Sequence, residues 1–265
     1  MESLHEIGTR VQAIKEQRTA NTFPQKLQIG KKCEVCGVAI ELINEQGIIS
    51  NQKCDCVLKR EIQEKIKEFE KLSRYRGDYS RNTFERFISR NIQEEELKNK
   101  CIKYCDHFSE FKKSGIGLLF YGPAGSGKTF LADCIANEIK NKSYPVLYFQ
   151  LDSYIKEIKD GWDEKEEKIL NLLKNVGLIV IDDWGILKEL KDWRYNKIYN
   201  LINTIVLEKV PLIVTTNNKL HEIDLDDNKR ISDRLKAICK PEMMNFESRR
   251  QGVANKKFDL IMENL

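Results

Sequence analysis

The chain has 265 residues, 41% of them apolar, which suffices for one large domain or two small ones with a real core. Its 45 Lys and Arg nearly balance its 41 Asp and Glu, so a net charge of +4 is no argument for nucleic acid by itself. No apolar run approaches the ~18 residues of a membrane-spanning helix, and Met1–Arg10 has no apolar signal core. A membrane span and secretion are therefore not expected, and the eight cysteines of a cytoplasmic protein point to metal binding or burial, not disulfides.

Leu4, Ile7, Val11 and Ile14 make one apolar stripe on a short helix. Next come Cys33-Glu34-Val35-Cys36-Gly37 and Cys54-Asp55-Cys56. In C-x-x-C-G two sulfurs converge and glycine permits the tight turn; four thiolates suit a closed tetrahedral zinc site. The second pair is C-x-C, a less usual spacing. A redox dithiol is the rival for Cys33 and Cys36, but no βαβ pattern surrounds them. Between the pairs, Val38–Ile43 and Gly47–Ser50 read as a hairpin around Asn44–Gly47. Leu58, Ile62, Ile66 and Phe69 then predict an amphipathic helix over 57–72. The polar stretch Ser73–Arg81 reads as a linker. The expected division is a zinc-binding domain at 1–75, a linker at 76–81 and a second domain at 82–265.

A helix is expected over 92–113, with Leu97, Cys101, Cys105 and Phe108 inward. Cys101 and Cys105, with His107 nearby, read more simply as buried core cysteines than as metal ligands. Ile116–Tyr121 is a buried strand by its apolar run. It leads into Gly122-Pro123-Ala124-Gly125-Ser126-Gly127-Lys128-Thr129, which fits G-x-x-x-x-G-K-[ST] at every fixed position. Leu131, Ile135 and Ile139 then keep helical spacing. Glycines turn backbone N–H groups toward phosphate oxygens, and the following helix offers its positive end. Lys128 reaches the β- and γ-phosphates of ATP, and the Thr129 hydroxyl can ligand Mg²⁺.

Val146–Phe149 reads as a second strand, and 151–175 as largely helical. Leu178–Ile181 is a strand that ends on Asp182 and Asp183. At a sheet edge beside a phosphate loop, Asp182 can hold Mg²⁺ and Asp183 can polarise an attacking water. Leu212–Thr216 brings Asn217 to the same edge, where its amide can orient the water; capping the next segment is the plainer alternative. Lys229–Lys236 reads as a basic helix and Met243–Phe246 as a last strand. The arginines of the basic helix, Arg230 and Arg234, and those of Glu247-Ser248-Arg249-Arg250 are candidates for stabilising transition-state charge, although each is more commonly a solvated surface residue.

Together these motifs resemble bacterial replicative helicase loaders of the DnaC/DnaI type, within the AAA+ ATPases, and the related IstB-type transposase helpers. The resemblance covers roughly 82–252. It rests on Gly122–Thr129 (Walker A), Ile179–Asp183 (Walker B), Thr215–Asn217 (sensor 1), Asp233-Arg234-Leu235 (box VII) and Asn245–Arg250 (sensor 2). It implies an α/β AAA+ core with a five-stranded parallel sheet between helices and, with so few residues after Arg250, no full lid domain. It implies that Arg234 acts on ATP held by a neighbouring subunit and that Arg250 acts in cis. It also implies an N-terminal domain that grips the hexameric replicative helicase, single-stranded DNA as a partner, and an ATP-dependent oligomer. Two departures stand out. Asp183 takes the place of a common Glu, so ATP hydrolysis is expected to be slow and stimulated by DNA or partner. Trp184 takes the place of a smaller aliphatic residue. A transposition helper, a P-loop small-molecule kinase and a zinc-dependent adaptor with a degenerate ATP site are the alternatives. The lack of an acceptor lid disfavours the kinase, and intact Lys128, Thr129 and Asp182 disfavour the adaptor.

Overall fold

The structure, a computed structural model, describes residues 28–263 apart from 45, 53, 73–80, 160–161, 186–192, 220–221, 223–229 and 251–252. The stripe Leu4, Ile7, Val11 and Ile14 and most of the expected linker lie outside the described residues. Among the described residues, no helix is long and apolar enough to cross a membrane. The chain divides into two compact units, Met1–Leu58 and Lys59–Leu265.

The first unit contains a three-stranded antiparallel sheet: β1 (Gln28–Ile29), β2 (Glu41–Ile43) and β3 (Ile49–Asn51). The hairpin expected from the sequence is β2–β3, with Leu42 opposite Ser50. Its turn is held by the Asn44 carboxamide oxygen, which accepts from the N–H groups of Gln46 and Ile48 at 3.0 and 2.8 Å. β1, too short to show a period, adds Gln28 opposite Ile43. Helix α1 (Asp55–Leu72) begins in this unit. From Lys59 on it belongs to the second unit, where Ile66 is fully buried in the core. The compact units thus meet upstream of the division expected at residue 75.

The second unit is a parallel five-stranded sheet in the order β5-β6-β7-β4-β8. The strands are β4 (Gly117–Tyr121), β5 (Val146–Gln150), β6 (Leu178–Asp182), β7 (Leu212–Thr216) and β8 (Cys239–Met243). Alternate residues of one strand enter two separate cores. Ile179 and Ile181 join one, Leu178 and Val180 the other. Burial on both faces is why β6 reads as an unbroken apolar run. On the first face pack α5 (Leu151–Lys159), α6 (Trp162–Leu173), α7 (Trp193–Leu207) and α8 (Arg230–Ile238), with α1. On the other pack α2 (Ile92–Asp106), α3 (Phe108–Ser114) and α4 (Lys128–Asn141). α9 (Val253–Met262) follows the last strand.

Two expectations need correction. The single helix over 92–113 is two helices broken at His107, whose backbone leaves helical geometry at ψ 23°. The break lets Phe108 pack edge-on against Tyr104 and Tyr144. The four inward residues are all buried as expected. The last strand is Cys239–Met243, not 243–246. Pro241 obscured it, yet an edge strand tolerates a residue with no N–H to donate. Met244, just past the strand end, is buried, and its N–H donates to the Tyr121 carbonyl at 2.8 Å.

Candidate active site

The carboxyl ends of β4, β6 and β7 meet the start of α4 around a cavity of about 550 Å³. Its floor is the loop 122–127. Gly122 has φ +143°, and a side chain there would strike the Met244 carbonyl. The Lys128 ammonium lies over the loop, donating to the carbonyls of Gly122 and Pro123 at 2.9 and 2.8 Å and approaching Ser126 Oγ at 3.4 Å. Burial pulls its pKa down, and the charges of Asp182 and Asp183 oppose that. These carbonyl bonds hold the cation where phosphate oxygens would outcompete neutral acceptors.

Asp182, buried at the end of β6, is the centre of the polar contacts. Thr129 Oγ1 donates to its Oδ1 at 2.9 Å, and Thr215 Oγ1 donates to the same oxygen at 2.5 Å. Burial raises its pKa, and both hydroxyl bonds counter this by favouring the carboxylate. A carboxylate beside a hydroxyl at the mouth of a phosphate loop is a donor set that fits Mg²⁺.

Asp183 is in the left-handed region at φ +56°, unusual for a residue with a side chain. Neighbouring contacts fix that turn. The Asp183 N–H donates to Thr215 Oγ1 at 2.9 Å, and the Trp184 N–H donates to the Thr215 carbonyl at 2.8 Å. Thr216 Oγ1 donates to the Trp184 carbonyl at 2.7 Å. The Trp184 indole, almost fully buried, belongs to the core. The departure seen in the sequence is thus a core anchor for the turn that presents Asp183. Asn217 Nδ2 reaches to 3.5 Å from Asp183 Oδ1.

Of the residues expected at this site, Ala124, Gly125, Gly127, Lys128, Thr129, Asp182, Asp183, Asn217 and Arg250 line the cavity, while Gly122, Pro123 and Ser126 shape its floor. Arg234 does not line it. Its guanidinium donates to Asn203 Oδ1 at 3.2 Å and to the Tyr199 hydroxyl at 2.8 Å, and lies over the Tyr199 ring. Asn82, Phe130, Asp133 and Gln150 also line the cavity without having been expected there, and so does Arg249, one of the arginines read as candidates for phosphate charge. Asn82 Nδ2 donates to Asp133 Oδ2 at 2.7 Å, and the Asn82 carbonyl accepts from Asn137 at 2.6 Å. Asp133 carried a signal, being a carboxylate one helical turn beyond Thr129. Asn82 carried none.

In the first unit, the sulfurs of Cys33, Cys36, Cys54 and Cys56 all lie within 4.8 Å of one another. A tetrahedral Zn²⁺ with bonds of ~2.3 Å sets its sulfurs about 3.8 Å apart, so the group fits. Gly37, at φ +69°, closes the first turn by donating its N–H to the Cys33 carbonyl at 2.9 Å. The Cys36 backbone N–H and then the Cys56 thiol lower the Cys33 pKa to about 6. Cys101, Cys105, Cys134 and Cys239 are buried, and burial pushes their thiols up, Cys134 to about 12.

The family described as IstB-like ATP binding protein matches residues 41–252. The replicative helicase loader DnaC of Escherichia coli (strain K12) is 29% identical over 180 residues, 65% of this chain and 71% of the relative. The replicative helicase loader DnaI of Bacillus subtilis (strain 168) is 26% identical over 164 residues, 54% of this chain and 52% of the relative. The crystal structure of the DnaC helicase loader superposes with a TM-score of 0.57 at 22% identity, covering 63% of this chain and 98% of that one, which shows a shared fold.

Proposed function

Because the chain belongs to the family of IstB-like ATP binding proteins, we propose that it is an ATP-dependent loader that binds a hexameric replicative helicase and delivers it onto single-stranded DNA. The similarity to two proteins named replicative helicase loader supports the loader role. The observation that carries the ATP switch is the bonding of Thr129 and Thr215 to one oxygen of Asp182, beside Lys128 and inside the cavity.

In this reading Lys128 binds the β- and γ-phosphates, and Thr129 and Asp182 hold Mg²⁺. Mg²⁺ held by these two residues would offset the charge that develops on the phosphate oxygens. Asp183 polarises the attacking water, and Asn217 orients it. Arg250, exposed at the cavity wall, contacts the γ-phosphate in cis. Arg234, turned to Asn203 and Tyr199 and not to its own cavity, serves the ATP of a neighbouring copy within an ATP-dependent oligomer. Hydrolysis is slow and stimulated by DNA or partner, since Asp183 is one methylene shorter than Glu. Cys33, Cys36, Cys54 and Cys56 hold a structural zinc, and residues 1–75 contact the helicase.

The test is ATP-dependent DNA binding at two salt concentrations. Binding to single strands in preference to duplex, weakened by salt, is the expected result. The family description also fits a second reading, a transposition helper acting on duplex DNA. Equal or stronger binding to duplex selects that reading.

A further inference from the structure

Arg249 is tied to the phosphate loop through its backbone, its N–H donating to the Gly125 carbonyl at 2.8 Å. Its guanidinium is fixed on three sides. One face lies 4.1 Å from the centre of the Phe87 ring. Nη1 donates to the Ile88 carbonyl at 2.9 Å, and Nη2 donates to Glu94 Oε2 at 2.5 Å. Glu94 is a fully buried carboxylate, itself held by the Arg90 guanidinium at 3.0 Å and by the Arg90 N–H at 2.8 Å.

The third guanidinium nitrogen, Nε–H, is buried and has no acceptor among the described residues. It lies against Gly127: a side chain at that position would come within 3.0 Å of it. Arg249 also lines the cavity. A rigid, charged donor left without a partner beside the last glycine of a phosphate loop is suited to a phosphate oxygen. The backbone around that glycine cradles the α- and β-phosphates.

We infer that Arg249 is a nucleotide-binding residue whose Nε–H donates to the diphosphate portion that ATP and ADP share, with Glu94 and Phe87 positioning it. Its role is distinct from that of Arg250, which serves the γ-phosphate. The inference rests on the reading of the cavity as the ATP site.

Calorimetric titration of the full chain with Mg-ATP and with Mg-ADP tests it, using the wild type, Arg249→Met and Arg249→Lys, neither of which has an N–H at the Nε position. Both affinities should fall by the same factor, about tenfold to a hundredfold, as for a lost charge-assisted hydrogen bond. Lysine keeps a cation for Glu94 but has no donor at the Nε position, so Arg249→Lys should not restore binding. A purely structural role would lower the melting temperature of the unliganded protein and be rescued by lysine. Wild-type affinity for both nucleotides in either variant overturns the inference, and so does a loss confined to ATP. If Arg249→Met does not fold, Arg249→Lys carries the same comparison. If the wild type binds neither nucleotide, the reading of the cavity itself fails, and the inference with it.

Discussion

Asp133 stands one helical turn beyond Thr129, and its carboxyl is pushed up to about 6, chiefly by burial. Bonds from Tyr148 and Asn82 hold it down only in part. A carboxylate whose pKa rises on folding opposes folding once it ionises. Below about pH 4 it is protonated in both states and has no effect; between about 4 and 6 stability falls as pH rises; above 6 the whole cost is present. Asp133→Asn should therefore stabilise the unliganded protein at pH 7.5 by on the order of 1–3 kcal/mol and change little at pH 4. Thermal melts at the two values check this, and an equal shift at both would contradict it. At Asp183 the expected effect is on chemistry. Asp183→Asn should keep ATP binding and lose hydrolysis; turnover at the parent rate would show that Asp183 does not act on the water. Asp182, Asp183 and Asn217 were legible because each ends an apolar run. Asn82 was not, because its side chain finds its partner 51 residues away in the chain, at Asp133; Arg249 stood only as one of several candidate arginines, because Glu94, which fixes it, is 155 residues away.

Among the elements, those buried on both sides were the easiest to read. β4, β6 and β7 appear as continuous apolar runs because both faces of the sheet are covered. β8 was misplaced because an edge strand can carry Lys240, Pro241 and Glu242. α7 was not foreseen, although Ile198, Leu201, Ile202 and Ile205 are all buried at helical spacing. Its neighbourhood explains Trp184, whose indole shares that core. Trp184→Ala should cost about 3–5 kcal/mol, as large aromatic truncations do, and should also slow hydrolysis by loosening the Asp183 turn. A melting temperature near that of the parent would refute the anchoring role. In the first unit, paired spacing was enough to name all four cysteines. Their sheet is too small to bury much, so metal and folding should be coupled. Elemental analysis should find one zinc per chain, lost together with the structure of the first unit in Cys33→Ser. Freshly purified, reduced protein without metal would rule the site out.

At the scale of the whole molecule, the proposed action of Arg234 on ATP held by a neighbouring copy is open to a mixing test. Lys128→Ala protein has a dead site but still carries Arg234, and Arg234→Ala protein keeps its own site. Neither should hydrolyse ATP alone, and their mixture should recover part of the activity. An inactive mixture that still co-assembles would place Arg234 outside catalysis. The central claim, however, is the loading of a helicase, and it is met most directly by measuring helicase stably bound to a closed single-stranded DNA circle. With ATP and the wild-type chain, the hexamer should become topologically linked to the circle and resist a salt wash, whereas Lys128→Ala should leave it unlinked. Linking that proceeds equally with Lys128→Ala, or that is no greater with the wild-type chain than without it, would contradict the account.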